Sequence, residues 1–173
     1  MKIKIAIVFF FIFFVIQYAC AEPLKAGISY TVNEARIEAF SQIPMTIDLN
    51  KYNKYFYDPN HEKNMKALLK KKNRIGNKKL TIYSNKNYSV TYLNRAETYY
   101  YTPDGTLKNI ELDLNQSYPL RSAKYNIDGT LDSTTISISK DEQFVFDKNK
   151  KLLAHWIGKN CYDENGHLIM TRD

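Results

Sequence analysis

Residues 101–107 read YTPDGTL, and the same seven-place frame returns as YNIDGTL at 125–131, FDKNKKL at 146–152 and YDENGHL at 162–168. Each copy opens on an aromatic residue, places Asp or Asn fourth and closes on Leu. Gly105, Gly129 and Gly166 fill the fifth place, where the third copy has Lys150. Asp or Asn followed by Gly supplies residues that tolerate positive φ, and the flanking aromatic and Leu then face each other across two strands. The frame is therefore an instruction to turn. In the first copy Pro103 takes the second position of a type I turn, with Gly105 accepting the left-handed conformation that follows. Neighbouring copies begin 24, 21 and 16 residues apart, which describes related hairpins rather than a solenoid of constant period.

Outside the turns the apolar period is two. Tyr-, Thr-, Val- and Ile-rich stretches at 80–83, 88–93, 97–101, 107–112, 131–138, 143–146, 152–157 and 168–171 read as strands. Their close spacing predicts a mainly β (α+β) fold, an antiparallel meander of β-hairpin repeats with one or two short N-terminal helices. Thr31 followed by Glu34 is a capping box, and Val32, Ala35, Ala39 and Phe40 fall on one face of the helix it opens, which Pro44 forbids from continuing. Alternating residues at 45–49 lead to an aromatic cluster of Tyr52, Tyr55, Phe56 and Tyr57. Asp58 or Asn60 caps a second helix over 61–72, with Met65, Leu68 and Leu69 as its apolar stripe and Gly76 with Asn77 as its end. Segments 22–78 and 79–173 are expected to form one domain.

The first 21 residues set the expected location. Lys2 and Lys4 precede an apolar run from Ile5 to Ile16, and Ala19, Cys20 and Ala21 follow, in the order of a secretory signal peptide. A run of twelve residues is short of the ~20 that cross a bilayer. Processing after Ala21 yields a soluble periplasmic or extracellular chain. Acylation at Cys20 would yield a lipoprotein, although Gln17 stands where such signals carry an aliphatic residue; an uncleaved anchor is the third alternative. Cleavage after Ala21 leaves Cys161 as the only thiol, so no internal disulfide forms. The remaining 152 residues (173 minus 21) bury about two-thirds of their unfolded surface, enough for a domain without staples.

Tyr162, Asp163, Asn165, Gly166 and Leu168, with the three related frames, resemble the tyrosine-aspartate repeats of Rhs-type bacterial surface and toxin-delivery proteins. They also resemble the variant MORN repeats of small exported bacterial proteins. The resemblance covers about residues 97–173 and implies an extracytoplasmic β-sheet serving as scaffold, shell or binding surface. It brings no catalytic residues with it.

Two surfaces and one cluster are candidates for function. Lys63, Lys66, Lys70, Lys71, Lys72, Arg74, Lys78 and Lys79 fall in seventeen residues without an acid, whereas 101–173 carries nine basic and eleven acidic residues. Loss of Lys2 and Lys4 takes the formal charge from +7 to +5, so the positive excess is local. In an exported chain it suits an acidic envelope polymer, an anionic lipid surface or an acidic protein; export argues against nucleic acid. A solvated helix face is the plain alternative. Among the fourteen tyrosines, Tyr99 and Tyr101 share one face of a strand and Tyr100 the other, so the pair is the candidate platform for a glycan or a protein, with cross-strand packing as the plain reading of most tyrosines.

His155, Cys161, Asp163 and His167 form the cluster. A turn at Gly158 and Lys159 puts Cys161 opposite Trp156, with His155 on the other face, which leaves Cys161 and His167 as the candidate dyad of a small periplasmic cysteine-dependent hydrolase. His61 and Glu62 lack the second imidazole of a zinc helix, since Met65 holds its place. Asp147 with Asn149 and Asp163 with Asn165 open like calcium loops but read as turn stabilisers. No cofactor is implied. The expectation is a non-enzymatic envelope protein, a binding or scaffold module, with the hydrolase and a secreted membrane-active or toxin-associated protein as alternatives.

Overall fold

The computed structural model describes residues 30–172, so the expected signal peptide lies outside the described residues. Thr31 opens α1 (Val32–Ala39): its hydroxyl accepts the Glu34 amide at 3.2 Å, and the Glu34 carboxylate accepts the Thr31 amide at 2.8 Å. This is the expected capping box. Ala35 and Ala39 are buried and Val32 and Phe40 pack beside them. A 3₁₀ helix (Asn50–Tyr55) and α2 (His61–Leu69) follow.

Eleven strands complete the chain: β1 (Arg74–Ile75), β2 (Lys78–Ile82), β3 (Tyr88–Tyr92), β4 (Glu97–Tyr101), β5 (Leu107–Asp113), β6 (Leu120–Asn126), β7 (Leu131–Ser137), β8 (Glu142–Asp147), β9 (Leu152–Ile157), β10 (Asn160–Tyr162) and β11 (Leu168–Thr171). They form one sheet in sequence order, each antiparallel to its neighbours, as a meander requires.

The elements differ from expectation at the 3₁₀ helix, at the end of α2 with β1, at β6 and at β10. α2 ends at Leu69 rather than near residue 72, because Gly76 and Asn77 turn the tight connection from β1 to β2 instead of closing a helix. β6 was absent from the expected strands: its core-facing residues are Arg121, Ala123 and Tyr125, too mixed to show an apolar alternation. β10 was absent because three residues between two turns carry almost no period.

All four frames turn alike. The second-place amide donates to the sixth-place carbonyl in each, at 2.9 Å from Thr102, Asn126, Asp147 and Asp163 alike. The fifth-place amide donates back to the second-place carbonyl, and the fifth residue has positive φ, between +67 and +89. The strand register shifts at the first place every time, pairing Tyr101 with Leu107, Tyr125 with Leu131, Phe146 with Leu152 and Tyr162 with Leu168. Each is a turn followed by a left-handed residue and a bulge. Asp104 and Asp128 receive the turn amides of Thr106 and Thr130, and in the later frames Asp147 and Asp163 take that work. The Thr102 hydroxyl and Thr106 amide hold Asp104 below the usual carboxylate range, and the Thr130 hydroxyl and amide do the same for Asp128. Their support is present above the ordinary carboxylate pKa and is lost as pH falls through the lowered values.

The N-terminal segment crosses these turns in reverse order. At the first frame the Asp58 amide donates to the Gly105 carbonyl and the Leu107 amide to the Phe56 carbonyl, both at 2.9 Å. At the second, the Ile47 amide donates to Gly129 at 2.9 Å and the Leu131 amide to Met45 at 2.8 Å. At the third, the Arg36 side chain replaces the backbone: its Nε donates to the Lys150 carbonyl at 2.9 Å and its guanidinium lies over the Phe146 ring.

This explains the odd residue of the third frame. A Cβ on Gly129 would lie 2.4 Å from the Ile47 carbonyl oxygen, and one on Gly105 would lie 2.8 Å from His61 Nδ1. At Lys150 no strand docks, so a side chain is tolerated at positive φ, and its ammonium reaches over Phe40.

The covered face of the sheet carries the core. Tyr88, Val90, Tyr99, Tyr101, Leu107 and Ile110 pack under the 3₁₀ helix and α2, and Ile136, Phe144, Phe146 and Leu152 pack under α1. Ala123, Tyr125 and Leu131 join them beneath Phe40, Ile43 and Ile47.

Candidate functional site

The pleat decides which tyrosines are available. Tyr99 pairs across strands with Val90 and Ile110, and Tyr101 with Tyr88 and Leu107, all on the covered face. Both are completely buried, so the expected platform of Tyr99 and Tyr101 is corrected: they are core. Their hydroxyls are pushed up by burial, Tyr99 further by the Glu97 carboxylate it donates to and Tyr101 by Asp58. Tyr100, between polar Ser89 and Asn109, points to the other face.

On that open face the side chains are linked. Tyr83 is 40% exposed and stacks on Tyr100, with centroids 6.2 Å apart. Lys124 Nζ sits 4.5 Å from the Tyr100 ring centre. The Tyr100 hydroxyl donates to Glu111 Oε2, and the Ser122 hydroxyl to Glu111 Oε1 at 2.6 Å. Burial and the Glu111 charge push the Tyr100 hydroxyl up, which keeps it a donor; burial and Glu111 also raise the Asp113 carboxyl.

Two clefts flank this row. One of about 210 Å³ is lined by Tyr83, Asn85, Asn87, Tyr100, Asn109 and Lys124, and one of about 500 Å³ by Thr91, Glu111, Asp113, Ser122, Thr135 and Gln143. An aromatic face beside amides, hydroxyls and a carboxylate suits a polyhydroxylated ligand, whose rings have apolar faces and hydrogen-bonding rims. Parity separates Tyr100 from Tyr99 and Tyr101, and the register tells which is core: Tyr99 has aliphatic neighbours and Tyr100 polar ones.

The eight basic residues lie along α2, its end, and β1 and β2. All are exposed except Lys78, which is half-buried with its ammonium 5.3 Å from the Tyr92 ring centre. Leu69, expected in the apolar stripe of α2, instead points to solvent.

The proposed dyad is not assembled. Cys161 is buried opposite Trp156, and His155 pairs with Tyr162 on the other face, as the turn at Gly158 predicts. His167 is exposed and its Nδ1 lies 3.2 Å from Asp163 Oδ2; no hydrogen bond joins it to Cys161 among the described residues. Burial raises the Cys161 thiol above its ordinary value, against smaller opposing effects of a His155 backbone hydrogen bond and the Arg172 charge. A catalytic thiol needs the opposite shift. Native protein should therefore react slowly with an aromatic disulfide reagent at neutral pH and rapidly once unfolded in denaturant. Fast labelling of the native chain below pH 7 would restore the hydrolase reading.

A third cleft, beside α2, is lined by Tyr57, Asp58, His61, Lys63 and Lys66. His61 Nδ1 lies 2.8 Å from the Tyr88 hydroxyl, which donates to the buried Asp58 at 2.9 Å, so His61 supplies the Nδ1 proton. His155 meets Glu142 at 3.0 Å and stacks on Phe144. Comparison with known protein families, curated proteins and solved structures returned no match.

Proposed function

We propose that this chain is an exported, non-enzymatic module of the cell envelope that binds a glycan of the envelope on the open face of its sheet. One observation carries the reading: the N-terminal layer covers a single face, and the other presents Tyr83 stacked on Tyr100 in a row linked to Glu111, Ser122 and Lys124. Hydrogen bonds hold the row in place before any ligand arrives, which lowers the ordering cost of binding. Export rests on the basic, apolar and small-residue order of the first 21 residues. In this reading the four frames are copies of one hairpin repeat, whose role is to extend the sheet that displays the row.

Calorimetric titration with neutral and acidic oligosaccharides long enough to cross several strands tests the proposal. At least one class should bind, and Tyr83→Ala should weaken it about tenfold, the loss of one ring contact worth about 1.4 kcal/mol. Because Tyr83 is partly exposed and lies just beyond β2, the variant should keep the fold. Binding to no glycan, or binding indifferent to Tyr83→Ala, removes the open face as the site.

A further inference from the structure

We propose that the end of α2, on the opposite side of the sheet from the open face, docks on an anionic lipid surface. Leu69 is 76% exposed, the most exposed large apolar side chain among the described residues, and Lys70, Lys71 and Lys72 follow it directly. The helix stops in a Schellman turn: the Lys71 amide donates to Leu68 at 2.9 Å and the Lys72 amide to Ala67 at 2.8 Å. This places Lys71 at φ +56°, the position that glycine ordinarily takes because a Cβ is strained there. Lys86 and Lys150 share that conformation, so what sets this corner apart is Leu69, an apolar side chain held in solvent beside three consecutive lysines.

Cations near a helix C-terminus favour the helix dipole, which accounts for the charge of Lys70 and Lys71. It does not account for Leu69. A soluble polyanion would neutralise the lysines and leave Leu69 in water, whereas a bilayer offers acyl chains to the leucine and headgroup phosphates to the lysines, whose stems let their ammonium groups reach outward. Lys66 on the same helix is also exposed, and no acid interrupts residues 63–79 to repel the phosphates. The corner is one turn long and shallow, so it describes reversible attachment at a surface rather than insertion across it.

Sedimentation of the full chain with phosphatidylglycerol-containing vesicles and with pure phosphatidylcholine vesicles, at low and high salt, reads the difference. Binding should favour the anionic vesicles and fall with salt. Lys71→Gly should weaken that difference about fivefold, the equivalent of about 1 kcal/mol per lysine at an anionic surface, while raising the unfolding midpoint. Leu69→Ser should weaken it by about tenfold. Equal binding to both vesicle types, or anionic binding that neither substitution alters, overturns the proposal. If salt abolishes binding and Lys71→Gly weakens it but Leu69→Ser does not, the partner is a polyanion and the lipid assignment fails. None of these outcomes bears on the glycan reading, whose residues lie on the other face.

Discussion

Gly129→Ala is expected to destabilise the fold by about 3 kcal/mol or more, while Gly166→Ala, at nearly the same φ, costs about 1 kcal/mol. Gly129 has φ +83° and Gly166 φ +80°, so the backbone strain on gaining a Cβ is shared. Their surroundings differ. The new carbon at Gly129 would stand 2.4 Å from the Ile47 carbonyl oxygen, where the backbone must shift, and at Gly166 nothing lies within 4 Å. Relief at Gly129 means lifting residues 45–47, which breaks the 2.9 Å and 2.8 Å hydrogen bonds to Gly129 and from Leu131 and exposes Ile47 and Leu131. Gly105→Ala should fall between, because the new carbon meets side chains rather than backbone, His61 Nδ1 at 2.8 Å, its Cγ at 2.9 Å and the Tyr57 ring at 3.0 Å, and His61 can give way only at the expense of its Tyr88 contact. Urea midpoints with a common slope give the three losses directly. Equal losses at positions 129 and 166 would show that the docked segment does not restrain the second turn.

The turns were legible because their determinants are local, although two of the strands they join, β6 and β10, were not. An Asp or Asn, a Gly and a flanking aromatic and Leu lie within seven residues, and the observed pairing of Tyr125 with Leu131 follows from them. The docked segment was not legible, since the Ile47 amide and Gly129 carbonyl are brought together only by tertiary structure. A trace of it was present in the Lys150 exception: the fifth place needs glycine where backbone docks, and tolerates lysine where Arg36 reaches in. The wrong choice among Tyr99, Tyr100 and Tyr101 has a similar origin. Alternation separates Tyr100 from its neighbours, but which set meets the core depends on the face that the N-terminal layer covers. The partners of each tyrosine on β3 and β5, Val90 and Ile110 against Ser89 and Asn109, held the answer once the register was known. Leu69 departs from the expected stripe because it is the last residue of α2, where only Met65 and Leu68 pack against the core.

Asp58→Ala is expected to cost about 3–5 kcal/mol, the loss of hydrogen bonds to one backbone and two buried side-chain donors, at about 1–3 kcal/mol for each donor left buried without its acceptor. Asp58 is 2% exposed, and its carboxylate accepts the Asn60 amide at 2.9 Å, Asn64 Nδ2 at 2.8 Å and the Tyr88 hydroxyl at 2.9 Å. Asn64 and Tyr88 are equally buried, so alanine removes the acceptor of two buried side-chain donors, of which Tyr88 keeps only its contact with His61. The same residue anchors the chain on both sides: its amide holds Gly105 and its carbonyl accepts the His61 amide at 3.1 Å, so the start of α2 and the first turn are tied through one position. Tyr88→Phe should cost less, about 1.5–3 kcal/mol, because Asp58 keeps two of its three donors and the half-buried His61 can turn its Nδ1 toward solvent. The combined variant distinguishes a network from a collection of pairs. With Asp58 gone the Tyr88 hydroxyl has lost its acceptor and keeps only its contact with His61, so replacing it by hydrogen then costs less than in the parent and the double loss should fall at least about 1 kcal/mol short of the sum. Additive losses in chemical denaturation would mean that Asp58 and Tyr88 act separately and that α2 is held to the sheet by Ala67 and its apolar neighbours alone.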